Sequence, residues 1–139
     1  MLEKEIIQQK GFRNIVKDGK VVGFQVGIRQ DVYRGTWLSQ LRFDNLTVDG
    51  ERFGPEDVTF LISGIEYTYD EMANKDRIMW PRDEVAYIRV KKEGGLYTGT
   101  HTVHVNFWGI RSYLPPRMDG ENRERNEKNP KMTRELILV

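Results

Sequence analysis

The stretch Thr100–Pro116, THTVHVNFWGIRSYLPP, holds both histidines of the chain, one of its three tryptophans and a Tyr-Leu-Pro-Pro ending. On a strand, successive side chains point to opposite faces. His101, Val103, Val105 and Phe107 then form one row, and Thr102, His104, Asn106 and Trp108 form the reverse row. Apolar and polar rows alternating in this way belong to a sheet with one face in a core. Pro115 and Pro116 stop the ladder, so Arg111 and Tyr113 leave on a rigid, extended path.

Outward from that strand the same grammar repeats. Asp18-Gly19, Asp49-Gly50 and Ser63-Gly64 each sit between alternating runs and suit hairpin turns that need positive φ. Val22, Phe24 and Val26 share a face after the first turn, Leu46 and Val48 one before the second, and Ile65, Tyr67 and Tyr69 one after the third. EVAYIRV joins the opening strand through Gly94-Gly95, and RELILV closes the chain as a strand. The best helical stretch is Tyr69–Asp76, which reads as about two turns of helix or as a capped loop. Roughly eight to ten short strands at regular spacing predict an all-β fold, an antiparallel, jelly-roll-like β-sandwich with at most one short helix. The segment from Arg117 to Met132 is almost wholly polar and reads as a solvated loop before the last strand.

At 139 residues, 38% hydrophobic and 31% charged, the chain fits a single domain, residues 1–139, with a core of its own. A net charge of +1 provides no footprint for nucleic acid or an anionic bilayer. Cysteine is absent, which removes disulfides, thiolate ligands and a cysteine nucleophile and fits a reducing cytoplasm. The start, MLEKEIIQQKGF, lacks a signal-peptide apolar run, and no later stretch approaches a membrane span. A cytoplasmic, soluble protein is the expectation.

Catalytic hardware is sparse. The two histidines are three apart on a strand, so they project oppositely and do not chelate one ion; no metal ligand set is expected from this chain. The carboxylate pairs Asp70-Glu71 and Asp83-Glu84 are adjacent residues, which do not face each other as an acid/base couple. No G-x-S-x-G, P-loop or G-x-G-x-x-G is present. Contact surfaces are better represented. Tyr33, Arg34 and Trp37 cluster around Gly35, His104, Asn106 and Trp108 make a polar-aromatic face, and Arg111 and Tyr113 decorate an exit that reads as a docking edge or as an edge strand protected by its prolines. Burial in the sheet, a protein interface and a platform for sugar rings or flat aglycones remain open for the His104–Trp108 face. For Tyr33–Trp37 the alternatives are a contact loop and a connection whose Trp37 plugs the core.

The succession of MLEKEIIQQKGFRNIVKDGKVVGFQVGIR, YRG at Tyr33–Gly35, LTVDGERFGPEDVTF at Leu46–Phe60, YTYDEM at Tyr67–Met72, GTHTVHV after Gly94-Gly95, and SYLPP at Ser112–Pro116 resembles the small β subunit of the bacterial C-glycoside deglycosidases. The resemblance runs from Met1 to about Pro116 and then takes in the terminal strand; the segment Arg117–Met132 stands outside it. It implies a β-sandwich that works in a hetero-oligomer with a catalytic α subunit, a TIM barrel of the sugar-isomerase type holding a divalent metal, usually manganese. The substrate implied is a 3-oxo C-glycoside whose aromatic, flavonoid-type aglycone is released by β-elimination. No catalytic residue is carried over to this chain, and Tyr33, Arg34, Trp37, His104, Trp108, Arg111 and Tyr113 are the candidate partner or aglycone contacts. A stand-alone carbohydrate- or polyphenol-binding sandwich is the alternative. A cupin-like sugar isomerase is a third, opposed by histidines on opposite faces.

Overall fold

In the computed structural model, which describes residues 2–30, 35–110 and 118–139, the three expected turns all form. Asp18, Asp49 and Ser63 have φ of 52°, 51° and 53°, and the glycines that follow have 77°, 89° and 81°. Positive φ at both central residues gives the turn whose twist matches that of the flanking strands. The pairings Lys17 with Lys20, Val48 with Glu51 and Ile62 with Ile65 close each hairpin on two residues.

The strands among the described residues are β1 (Ile7–Lys17), β2 (Lys20–Ile28), β3 (Thr36–Trp37), β4 (Leu41–Val48), β5 (Glu51–Phe53), β6 (Val58–Ile62), β7 (Ile65–Thr68), β8 (Met79–Trp80), β9 (Ala86–Lys91), β10 (Gly99–Gly109) and β11 (Thr133–Leu138). Two short helices, α1 (Tyr69–Met72) and α2 (Met118–Glu127), accompany them. One sheet has the order β1-β2-β9-β6-β7, the other β11-β10-β4-β5, and β3 and β8 form a separate ribbon. The connection through Gly94-Gly95 therefore crosses from one sheet to the other. The inner faces meet edge to face, Phe24 against Phe53 at 5.7 Å and Phe43 against Phe60 at 5.3 Å between ring centroids. This is the antiparallel sandwich that the alternation pattern called for.

Several details depart from expectation. Tyr67 points inward, but Ile65 at the turn is 56% exposed, and Tyr69 has left the strand to begin α1. That helix is one turn, not two. Thr68 Oγ1 accepts from the Glu71 amide and Glu71 Oε1 accepts from the Thr68 amide, a reciprocal cap. After Met72 the backbone tightens, with the Ala73, Asn74 and Lys75 amides donating to carbonyls three residues back. The larger correction is the polar segment 117–132. It is not a loop: α2 and a 3-10 turn at Pro130–Met132 fill most of it, so two short helices form where at most one was expected. A helix stabilised by polar contacts carries no apolar stripe to announce it.

Two side-chain devices tie the sheets together. A bulge between Gln8 and Arg13 leaves the Gln9 and Lys10 amides outside the β1–β2 ladder, and the Glu3 carboxylate accepts both, at 2.9 and 2.8 Å. Gln9 then reaches β11, its Nε2 donating to the Ile137 carbonyl at 2.7 Å and its Oε1 accepting from the Ile137 amide at 2.9 Å. The second device is His101, fully buried at the head of the inner row of β10. Its Nδ1 lies 2.6 Å from Asp49 Oδ2 and its Nε2 2.7 Å from the Tyr97 carbonyl. Asp49 Oδ1 also accepts from the Thr102 amide at 2.8 Å. The histidine thus pins the β4–β5 turn and the β9–β10 crossover to one strand.

Replacing His101 with leucine removes the donors to a carboxylate and a carbonyl, and is expected to destabilise the fold by about 2–3 kcal/mol, measured by urea unfolding. Burial raises the Asp49 carboxyl, but the hydrogen bonds from His101 and Thr102 and the adjoining His101 charge outweigh it, leaving Asp49 below the usual carboxylate range. A lowered folded value stabilises above the ordinary carboxylate pKa of about 3.9 and is lost as pH falls through the folded value. The Tm of the parent should therefore exceed that of Asp49→Asn at neutral pH, with the gap closing in acid.

Candidate functional site

The reverse row of β10 is where the sequence placed its polar-aromatic face, and the structure gives that face an occupant. Asn106 pairs in register with Asn45 of β4, and His104 lies between Thr47 of β4 and Thr133 of β11. Above them lies α2. Asn45 Nδ2 and Asn106 Nδ2 both donate to Glu127 Oε1, at 2.6 and 2.8 Å. Asn106 Nδ2 also donates to the Arg123 carbonyl at 3.0 Å, and Asn126 Nδ2 donates to the Phe107 carbonyl at 2.8 Å. Arg123 contacts Asp44 Oδ1 at 3.2 Å and stands 5.9 Å over the Trp108 ring. The helix is held by carboxamides, a carboxylate and a guanidinium.

Burial in this layer is deep for so polar a set. Asn106 is 0% and Asn45 2% exposed. His104 Nδ1 lies 2.9 Å from Thr133 Oγ1, while its Nε2 stands 3.5 Å from Glu127 Oε2, too far for a good hydrogen bond. Neither His104 Nε2 nor Asn106 Oδ1 finds a hydrogen-bond partner, which is unusual for buried polar atoms. Burial raises the Asp44 carboxyl, but hydrogen bonds from Asn45 and Arg52 and the charges of Arg52 and Arg123 hold it below the ordinary range.

Of the remaining candidates the structure describes Trp37, on the β3–β8 ribbon. Trp37 pairs with Met79 across the β3–β8 ribbon and is 40% exposed, beside Ile78 at 36%. Trp80, which the sequence reading passed over, fills the core at 0% exposure and donates from Nε1 to the Glu84 carbonyl at 2.7 Å. Gln30 Nε2 donates to the Trp80 carbonyl and Gln30 Oε1 accepts from the Thr36 hydroxyl, which fixes the ribbon. The exit of β10 reaches the same ribbon: the Ile110 amide donates to the Gln40 carbonyl at 2.9 Å, and a β carbon on Gly109 would lie 3.4 Å from the Thr36 side chain. Tyr33, Arg34, Arg111 and Tyr113 lie outside the described residues.

Among the described residues these groups do not converge on a reacting centre. His101 is in the core and His104 on the outer face, each tied to its own partners, and no group of three or more His, Cys, Asp or Glu able to hold a metal ion occurs among the described residues. Sequence reasoning missed Asp49 and Glu127, the carboxylates beside the histidines. Asp49 is 52 residues from His101 along the chain and becomes its neighbour only through the β4–β10 register. An open groove of about 800 Å³ on the other sheet, between Val16, Val22, Pro55 and Arg89, has the Arg89–Glu66 ion pair at 2.9 Å in its lining. No helix among the described residues is long and apolar enough to cross a membrane.

A family model described as C-glycoside deglycosidase beta subunit matches residues 2–113. The chain is also similar to a C-glycoside deglycosidase beta subunit of Eubacterium cellulosolvens, with 40% identity over 116 residues covering 83% of this chain and 79% of that protein. The family match includes Gly35, whose φ is +82° and where an added β carbon would fall 2.7 Å from the Trp80 carbonyl oxygen. Gly35→Ala is expected to cost about 1–3 kcal/mol through backbone strain, visible as a lowered Tm.

Proposed function

The chain belongs to the C-glycoside deglycosidase beta-subunit family, and from that premise we propose that it is the non-catalytic half of a hetero-oligomer. Its partner is a catalytic α subunit with a TIM barrel of the sugar-isomerase type, and the complex works in the cytoplasm. The complex cleaves the carbon–carbon bond between a 3-oxo sugar and a flavonoid-type aglycone, as a carbon–carbon lyase.

The chemistry asks for little from this chain. A ketone at sugar C3 acidifies the proton on C2. A base removes that proton, the enolate forms, and the aglycone departs from C1 with the bonding electron pair and is protonated on its ring. A divalent cation such as manganese supplies Lewis-acid stabilisation of the developing oxyanion when bound. Among the described residues no carboxylates and histidines assemble as a ligand set for such an ion, and our reading puts the ion and the base in the α subunit. The β subunit then excludes water and shapes the barrel mouth around the aglycone.

The observation that supports this reading is the fate of the two histidines, His101 locked in the core and His104 beneath a helix, so that neither faces an open cleft. The end of the sandwich with Trp37 and Ile78 exposed, next to the β10 exit, is our candidate contact with the partner. In assays on a 3-oxo C-glycoside the isolated chain is expected to be inactive and the co-expressed pair active; turnover by the isolated chain would overturn the assignment. Trp37→Ala should weaken assembly roughly tenfold or more with little change in the Tm of the free chain.

A further inference from the structure

Glu127 sits over a cluster of buried polar groups that it satisfies only in part. Two carboxamides with at most 2% exposure, Asn45 and Asn106, send their N–H groups to one oxygen, Glu127 Oε1. The Asn106 amide cannot be turned over, because its nitrogen faces two groups that only accept, Glu127 Oε1 and the Arg123 carbonyl. Its Oδ1 is thereby left buried with no donor. A carboxylate satisfies the nitrogens of this cluster and can never satisfy that oxygen. A hydroxyl group can do both, and a neighbouring hydroxyl in the place of Glu127 Oε2, which stands 3.5 Å from His104 Nε2, could give that nitrogen the hydrogen bond it lacks.

The helix that delivers Glu127 is weakly anchored. After Met118, α2 reads DGENRERNE and contains no apolar residue, and the Glu127 side chain is 43% exposed. An isolated helix of ten residues is marginal in water, and most helices gain their stability from an apolar face, to which the sequence 119–127 adds no side chain. The contacts described between residues 122–127 and the sheet are polar, each modest in net free energy and open to exchange with water or another polar group. It also lies beyond residue 113, where the family match ends.

We propose that Asn45, Asn106 and His104 form a binding site for a vicinal diol of the kind carried by sugars and cyclic polyols, closed in this conformation by Glu127 acting as an internal substitute for the ligand. The ligand exchanges with the Glu127 carboxylate as α2 lifts. The site is on the outer face of β10 and β4, and the inference stands independently of the partner subunit and its chemistry.

The test uses the full chain with D-glucose and myo-inositol as probes, followed by calorimetry and by NMR of the Asn45 and Asn106 side-chain amides and the Trp108 indole. Glu127→Ala should bind at least about tenfold more tightly than the parent, and adding Asn106→Leu should abolish the gain. A second variant, Arg123→Ala with Asn126→Ala, releases α2 through different contacts and should show the same gain, so a folding failure of one variant leaves the other decisive. Hydrogen exchange at residues 122–128 reports whether the helix has lifted. Lifting without any gain in polyol binding overturns the proposal. So does a gain that Asn106→Leu leaves intact, or a response to acetate alone, which would make the cluster a carboxylate site.

Discussion

β10 has to serve two faces at once, and much of the molecule is arranged around that constraint. It pairs with β11 on one side and β4 on the other, so its inner row is sealed in the core and its outer row must be covered or wetted. The inner row is His101, Val103, Val105 and Phe107, none more than 6% exposed. A histidine in such a row is costly unless both ring nitrogens are satisfied. Asp49 and the Tyr97 carbonyl satisfy them, and by doing so bring a turn and a crossover to fixed positions. The polar atom in the core therefore specifies geometry that the surrounding valines alone would leave loose.

Much of this organisation was legible from residue order. Asp18-Gly19, Asp49-Gly50 and Ser63-Gly64 mark hairpins because both residues of a two-residue turn need positive φ, and that requirement is local. The alternation of Thr100–Gly109 is local too, since it follows from the pleat. Which sheet each strand joins is not local. EVAYIRV and HTVHVNFWGI follow one another through Gly94-Gly95, and nothing in their order says that they fall in different sheets. Helix α2 was unreadable for a related reason: the groups that hold it, Asn45, Asn106 and the Phe107 carbonyl, are brought to it by the sheet.

The candidate surface was legible in part. Trp37 and the exit of β10 were singled out separately, and the fold brings their neighbourhoods together through Thr36, Gly109 and the Ile110–Gln40 hydrogen bond. Tryptophan by itself does not say which side of a ribbon it will take. Trp37 and Trp80 stand on the two strands of the same ribbon, and the one that faces the core is Trp80, with a carbonyl partner for its indole N–H. Alternation puts His104, Asn106 and Trp108 in one row but carries no sign of the helix that covers them. A surface row and a row roofed by a polar helix have the same alternation.

The reach of Gln9 to β11 bears on how the protein behaves in a crowded solution. A sheet ends in a row of unspent amides and carbonyls, and any extended segment of another chain can zip onto it. Along β11 a side-chain amide has already taken the donor and acceptor of Ile137. The edges opposite are β5 and β7, three and four residues long, which offer little template. At these edges the backbone has little left to give an incoming strand, which steers association there toward contacts made by side chains.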